Sequence, residues 1–244
     1  KELIMALPKL NVPVYETILP STEKVIKYRP FLVKEEKILL TALEAGTENE
    51  LPAAIKQIIN NCIQTELDVD NLSTFDIEYL FLRLRAKSVG EEVTIGLKPH
   101  PCGQNDGKLC EKTTEVKINL EEVKVTKNEK HTNKIMLDDK IGVIMNYPNS
   151  SSLENTEGDN FTVGMNIIKS SIKMIFTSEQ THERDSFTDE DLNEFLDSLN
   201  SDQFQRIREF FDTMPKLSHT VKYTCSTCGE KKETILEGLN SFFG

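Results

Sequence analysis

The stretch YTCSTCGEKKE, residues 223–233, narrows the folds open to this chain more than any other. Cys225 and Cys228 stand two residues apart and Gly229 follows them. At that spacing both sulfurs reach one metal ion, and a glycine accepts turn conformations that a side chain resists. Such a pair can be half of a metal knuckle, a redox centre or a structural clip. The knuckle reading requires a second half elsewhere in the chain.

A second stretch has the same rhythm. EVTIGLKPHPCGQNDGKLC (residues 92–110) runs into EKTTEVKINLEEV, as HTVKYTCSTC runs into GEKKETILEGLNS. Each unit is an alternating strand, a turn with two cysteines, a charged connector and a second alternating segment. Together they form a weak internal repeat. Cys102, Cys110, Cys225 and Cys228 are therefore the expected ligands of a structural zinc, four thiolates in the tetrahedral set that zinc prefers. Seven residues separate Cys102 from Cys110, a wide spacing, and His100 is a substitute for one of the pair. The competing reading leaves the first pair as reduced surface thiols. A four-ligand site has no position for an activated water, so it would be a clip and not a catalyst.

Around these units the pattern changes several times. Pro8, Pro13 and Pro20 keep the first thirty residues from forming a helix, and VIKY before Pro30 alternates like a strand. KEEKILLTALEAG has Ile38, Leu39, Ala42 and Leu43 at helical spacing, with Gly46 as its stop. ELPAAIKQIINNC carries Ile55, Ile58, Ile59 and Cys62 along one stripe, which makes Cys62 a small core residue. Ser73 caps a third helix that runs to Gly90. Apolar runs on either side of Asp138 and Asp139 predict a hairpin with a polar turn, and NSSSLENTEGDN is a polar loop. MNIIKSSIKMIF reads as helical. Thr188 with Asp191 forms a capping box, Ser201 caps the next helix, and that helix stops before Pro215.

Charge limits the function. With 40 acidic against 29 basic residues the net charge is −11 over 244 residues. Phosphate-tracking surfaces need the opposite balance, and Tyr223 is the one aromatic beside the knuckle that could stack on a base. His100, His131, His182 and His219 are scattered, and no zincin, phosphate-loop, dinucleotide-binding or nucleophile-elbow motif occurs. The expectation is a protein that is not an enzyme. No apolar run reaches the ~20 residues that span a bilayer, and the N-terminal stretch reads as mature sequence.

The C-terminal run DLNEFLDSLNSDQFQRIREFFDTMPKLSHTVKYTCSTCGEKKETILEGLNSFF resembles the baseplate hub assembly proteins of T-even-type contractile-tailed bacteriophages. ALPKLNVPVYETILPSTEKVIKYRPFLVKEEKILLTALE is similar to the start of the same family. The resemblance covers roughly residues 5–90 and 187–244, with RPFLVKEEK and FFDTMPKLSHTVKY…C-x-x-C-G as its composite signatures. It implies a morphogenesis protein made in the cytoplasm of an infected bacterium, with other hub or tail proteins as partners. Retention in the virion baseplate and departure as a chaperone both remain open at this point. Nucleic-acid binding through a zinc ribbon is the alternative function.

The fold expected is α+β, a helical N-terminal region with a zinc-ribbon-like antiparallel sheet. The expected divisions are an extended arm (1–33), a helical region (34–90), the ribbon (91–125 plus 217–244) and an inserted hairpin with helices (126–216). In the arm, Leu7, Leu10, Val12, Val14 and Tyr15 are candidates for laying a strand on a partner's sheet edge. Packing on the chain's own domain is the alternative.

Overall fold

The computed structural model describes residues 10–46, 50–98, 100, 112–149 and 159–242. An antiparallel hairpin comes first, β1 (Tyr15–Ile18) with β2 (Val25–Tyr28). Strand alternation decides its faces. Ile26 and Tyr28 enter the core, whereas Ile18 and Val25, direct cross-strand partners, stay exposed.

Three helices follow where helices were expected: α1 (Val33–Ala45), α2 (Glu50–Cys62) and α3 (Thr74–Ser88). Gly46 ends α1 in the left-handed conformation, at φ 67°. Ile55, Ile58, Ile59 and Cys62 are the buried stripe of α2. Ser73 caps α3 by accepting the Asp76 N–H. The facing of α1 departs from expectation at Leu43, which is 55% exposed. The line turned inward is Glu35, Ile38, Leu39 and Ala42, and one helical turn of that series leaves Leu40 and Leu43 outside.

β3 (Glu92–Leu97) pairs with β4 (Thr114–Asn119) as a two-stranded sheet. The chain then turns inward at Leu120 and Val123, both fully buried. That turn redirects β5 (Lys124–Thr126) away from the hairpin and onto β10 (Lys216–Thr224). On its other side β10 pairs with β11 (Lys231–Glu237). The single ribbon-like sheet expected from residues 91–125 and 217–244 is thus two sheets, β3–β4 and β11–β10–β5.

Between β5 and β10 lies a four-stranded antiparallel sheet: β6 (Lys134–Met136), β7 (Gly142–Met145), β8 (Ile172–Phe176) and β9 (Thr181–Glu183). The polar turn at Asp138 joins β6 to β7, as expected. Its carboxylate accepts the Lys140 and Ile141 N–H groups at 2.7 Å each. Helix α4 (Asn160–Ser171) covers only the first part of the segment read as helical. The second part, IKMIF, is the strand β8, because its β-branched and aromatic residues find partners on β7 and β9. α5 (Asp189–Asp197) starts with the expected Thr188–Asp191 capping box. α6 (Ser201–Thr213) is capped one residue earlier than expected, by Asn200. Asn200 and Gln203 satisfy each other's backbone N–H groups, which leaves Ser201 as the first helical residue.

Among the described residues two main apolar clusters result. The first draws on β2, α2, α3, β3, β4, β10 and β11 and includes Phe242 near the C-terminus. The second, from Ile135 to Phe210, lies wholly in the segment between β5 and β10. They meet where Phe75 of α3 sits edge-on to Tyr147, ring centroids 5.0 Å apart. The Thr74 N–H donates to the Pro148 carbonyl at the same junction.

Candidate metal centre

The residues joining β10 to β11 form a tight knuckle. The Cys225 N–H donates to the Glu230 carbonyl at 2.9 Å, and the Gly229 N–H donates to the Cys225 carbonyl at 3.0 Å. Gly229 has φ 72°, the conformation for which the sequence reading wanted a glycine. Neither Cys225 nor Cys228 is in a disulfide.

The knuckle is held against the start of β4. The Ser226 N–H donates to Thr114 Oγ1 at 3.1 Å, and the two hydroxyls lie 3.3 Å apart. Thr114 is itself buried. This link spans the two sheets without strand pairing, and because Thr114 pairs with Leu97 it sets the end of β3 beside the knuckle. His100 arrives by that route. Its Nε2 is 3.8 Å from Cys228 Sγ, although the residues are 128 positions apart in sequence. The ligating atoms of His100, Cys225 and Cys228 all lie within 4.8 Å of one another. Cys225 is buried, whereas the other two are half-buried.

The Cys225 thiol is lowered to about 5. Backbone N–H groups of Cys228 and Thr227 aim at its sulfur and contribute most, with smaller contributions from the His100 and Cys228 side chains. Donors so placed favour the thiolate form. The contrast with Cys62 is direct, since burial among apolar side chains pushes that thiol up to about 11.

Of the four cysteines expected as ligands, Cys225 and Cys228 come together, while Cys102 and Cys110 lie outside the described residues. His100, read in the sequence as a substitute ligand, is part of the cluster. The Thr114–Ser226 link was missed, because nothing in the sequence marks a hydroxyl pair so far apart. In the N-terminal arm, Leu7 lies outside the described residues. Leu10 is 89% exposed, Val14 is half-exposed and Val12 is half-buried. Tyr15 packs on its own core, with its ring 5.9 Å from that of Tyr28 and the Lys87 ammonium above it.

His131 has a structural place. It stacks against Tyr147, with Nε2 3.1 Å from the Tyr147 hydroxyl and Nδ1 3.0 Å from Thr213 Oγ1. Burial lowers its pKa. Asp138, Asp159 and Asp191 are held below the ordinary carboxylate range by backbone N–H groups of a turn and two helix starts. These shifts come from local structure.

A family model described as T4 bacteriophage base plate protein matches residues 12–244. The chain belongs to that family. The match takes in both apolar clusters and the knuckle, and it makes this a phage baseplate protein whose working contacts are with other phage structural proteins. No curated protein and no solved structure matches the chain. Among the described residues, no helix is long and apolar enough to cross a membrane.

Proposed function

We propose that this baseplate protein serves in assembling the central hub of the tail, acting through protein contacts and not by catalysis. The observation that carries the reading is the family match over residues 12–244. The surface supports it. On the β1–β2 hairpin, Ile18 and Val25 form an exposed cross-strand apolar pair. On α1, Val33, Leu40 and Leu43 are 66%, 52% and 55% exposed, at a spacing that puts them on one side of the helix. Apolar rows of this kind mark protein-interaction surfaces, and partners in a tail hub are themselves proteins.

Quantitative mass spectrometry of mature particles and of baseplate intermediates from one infection tests the proposal. A fixed, small copy number in both makes the protein a hub component. Presence in intermediates alone makes it an assembly chaperone. Absence from both overturns the hub reading and favours a nucleic-acid role. A chain with Leu40→Glu and Leu43→Glu is expected to fold yet fall at least about tenfold in intermediates, since each charge must be desolvated at the contact. Normal incorporation of that variant would remove α1 from the contact surface.

A further inference from the structure

We infer that His100, Cys225 and Cys228 hold a zinc ion that fastens the end of β3 to the β10–β11 turn. The donor set fits the ion. Two thiolates and an imidazole suit zinc's borderline softness, and oxygen-seeking ions such as magnesium or calcium would find no oxygen ligand in the trio. Distances agree as well. Tetrahedral zinc with Zn–S near ~2.3 Å and Zn–N near ~2.0 Å separates its nitrogen and sulfur ligands by roughly 3.5 Å. The observed His100 Nε2 to Cys228 Sγ distance is 3.8 Å, so small rotations of the side chains would seat the ion.

The backbone is prepared independently of any metal. The Cys225–Glu230 and Gly229–Cys225 hydrogen bonds set the knuckle, and Ser226 fixes it to Thr114 of β4. His100 therefore meets the cysteines through a fold-level contact and not through sequence neighbourhood. Cys225 and Cys228 also form a small cluster separate from the two main cores. Apolar packing is thin there, and a bound ion would supply the cross-link between sheets that share no strand pairing. Zinc's fourth position falls to a donor outside this trio.

The full chain, purified under reducing conditions without chelator, is expected to carry about one zinc ion. Cobalt substituted for zinc is expected to give the near-ultraviolet thiolate charge-transfer band and the strong visible bands of a tetrahedral ion. His100→Ala should weaken zinc binding at least about tenfold, the loss that removing even an outer-sphere partner produces. His100→Cys should keep the metal and raise the charge-transfer intensity, a change that follows only from direct ligation. His182→Ala, on exposed β9, should leave binding unchanged. Cys225→Ser and Cys228→Ser should each lose the metal, but either could also unfold the knuckle, so the His100→Cys spectrum decides. A metal-free chain, or a Cys225–Cys228 disulfide in the unreduced protein, overturns the site. Unchanged zinc affinity in His100→Ala overturns the place given to His100.

Discussion

Glu35 is a carboxylate with no exposed surface at the start of α1. Burial alone would raise its pKa. Donors from Arg29, the Leu32 N–H and Lys34 outweigh that and hold it below the ordinary value of 4.5. The Arg29 guanidinium lies 2.9 Å from Oε1, and the Leu32 N–H donates to Oε2 at 2.9 Å. Arg29 also donates to the carbonyls of Pro30 and Asn61, so this one pair ties β2 to both α1 and α2. Glu35→Gln keeps the shape but strands the Arg29 charge, a loss expected at about 2–4 kcal/mol near neutral pH. Because the folded-state pKa is depressed, the ion pair's contribution is complete above the unfolded-state value and drains away as pH falls through the lower folded-state value. Urea unfolding of both proteins at pH 7 and near pH 3 reads this directly. The difference should shrink on acidification, and an equal difference at both pH values would show that the charge is not what matters.

β7 and β8 carry the next case, because their pairing explains what the sequence concealed. Gly142 faces Phe176 across the sheet, and an added Cβ would collide with the Phe176 ring and come within 2.8 Å of the Ile135 carbonyl oxygen. Gly142→Ala is expected to destabilise by about 1–3 kcal/mol, the usual cost of overpacking. Phe176→Leu in the same chain should recover part of that, whereas an unchanged urea midpoint for the single variant would mean that the sheet gives way freely. The same contact explains why IKMIF read as helix. Its apolar spacing fits either period, and only the partner on β7 decides. Signals whose cause is local were legible: the Ser73 and Thr188 caps, the stop at Gly46, the turn at Asp138, and the pair Cys225 and Cys228. Features set by distant partners were not, among them the outward turn of Leu43, the move of β5 to β10 and the Thr114–Ser226 link. His100 stands between these classes, since its proximity to Cys102 in sequence marked it but only the fold delivered it to Cys228.

The topology of the whole chain places one core inside a gap in the other. All buried residues of the second cluster fall between β5 and β10, yet those strands are direct neighbours, with Thr126 opposite Lys216 and Val125 opposite Leu217. The chain thus leaves the first core and returns to it at one point, and the C-terminal Leu239 and Phe242 complete the packing begun by Ile26 and Tyr28. Replacing residues 127–215 by an Asn-Gly turn should therefore join β5 to β10 as an ordinary hairpin, whose favoured two-residue loop has that sequence. The cost is definite. Phe75, only 2% exposed, loses Tyr147 and becomes solvated, which removes roughly 1.5–3 kcal/mol. The shortened chain should still unfold cooperatively, at a lower temperature, with the β10–β11 amides as its best-protected group in hydrogen exchange. Phe75→Ser should cost less in the shortened chain than in the full one, since its ring contact with Tyr147 is already gone. A shortened chain that binds hydrophobic dye and melts without cooperativity would mean that the inserted segment supplies stability which the first core lacks, and that the two clusters fold only as one.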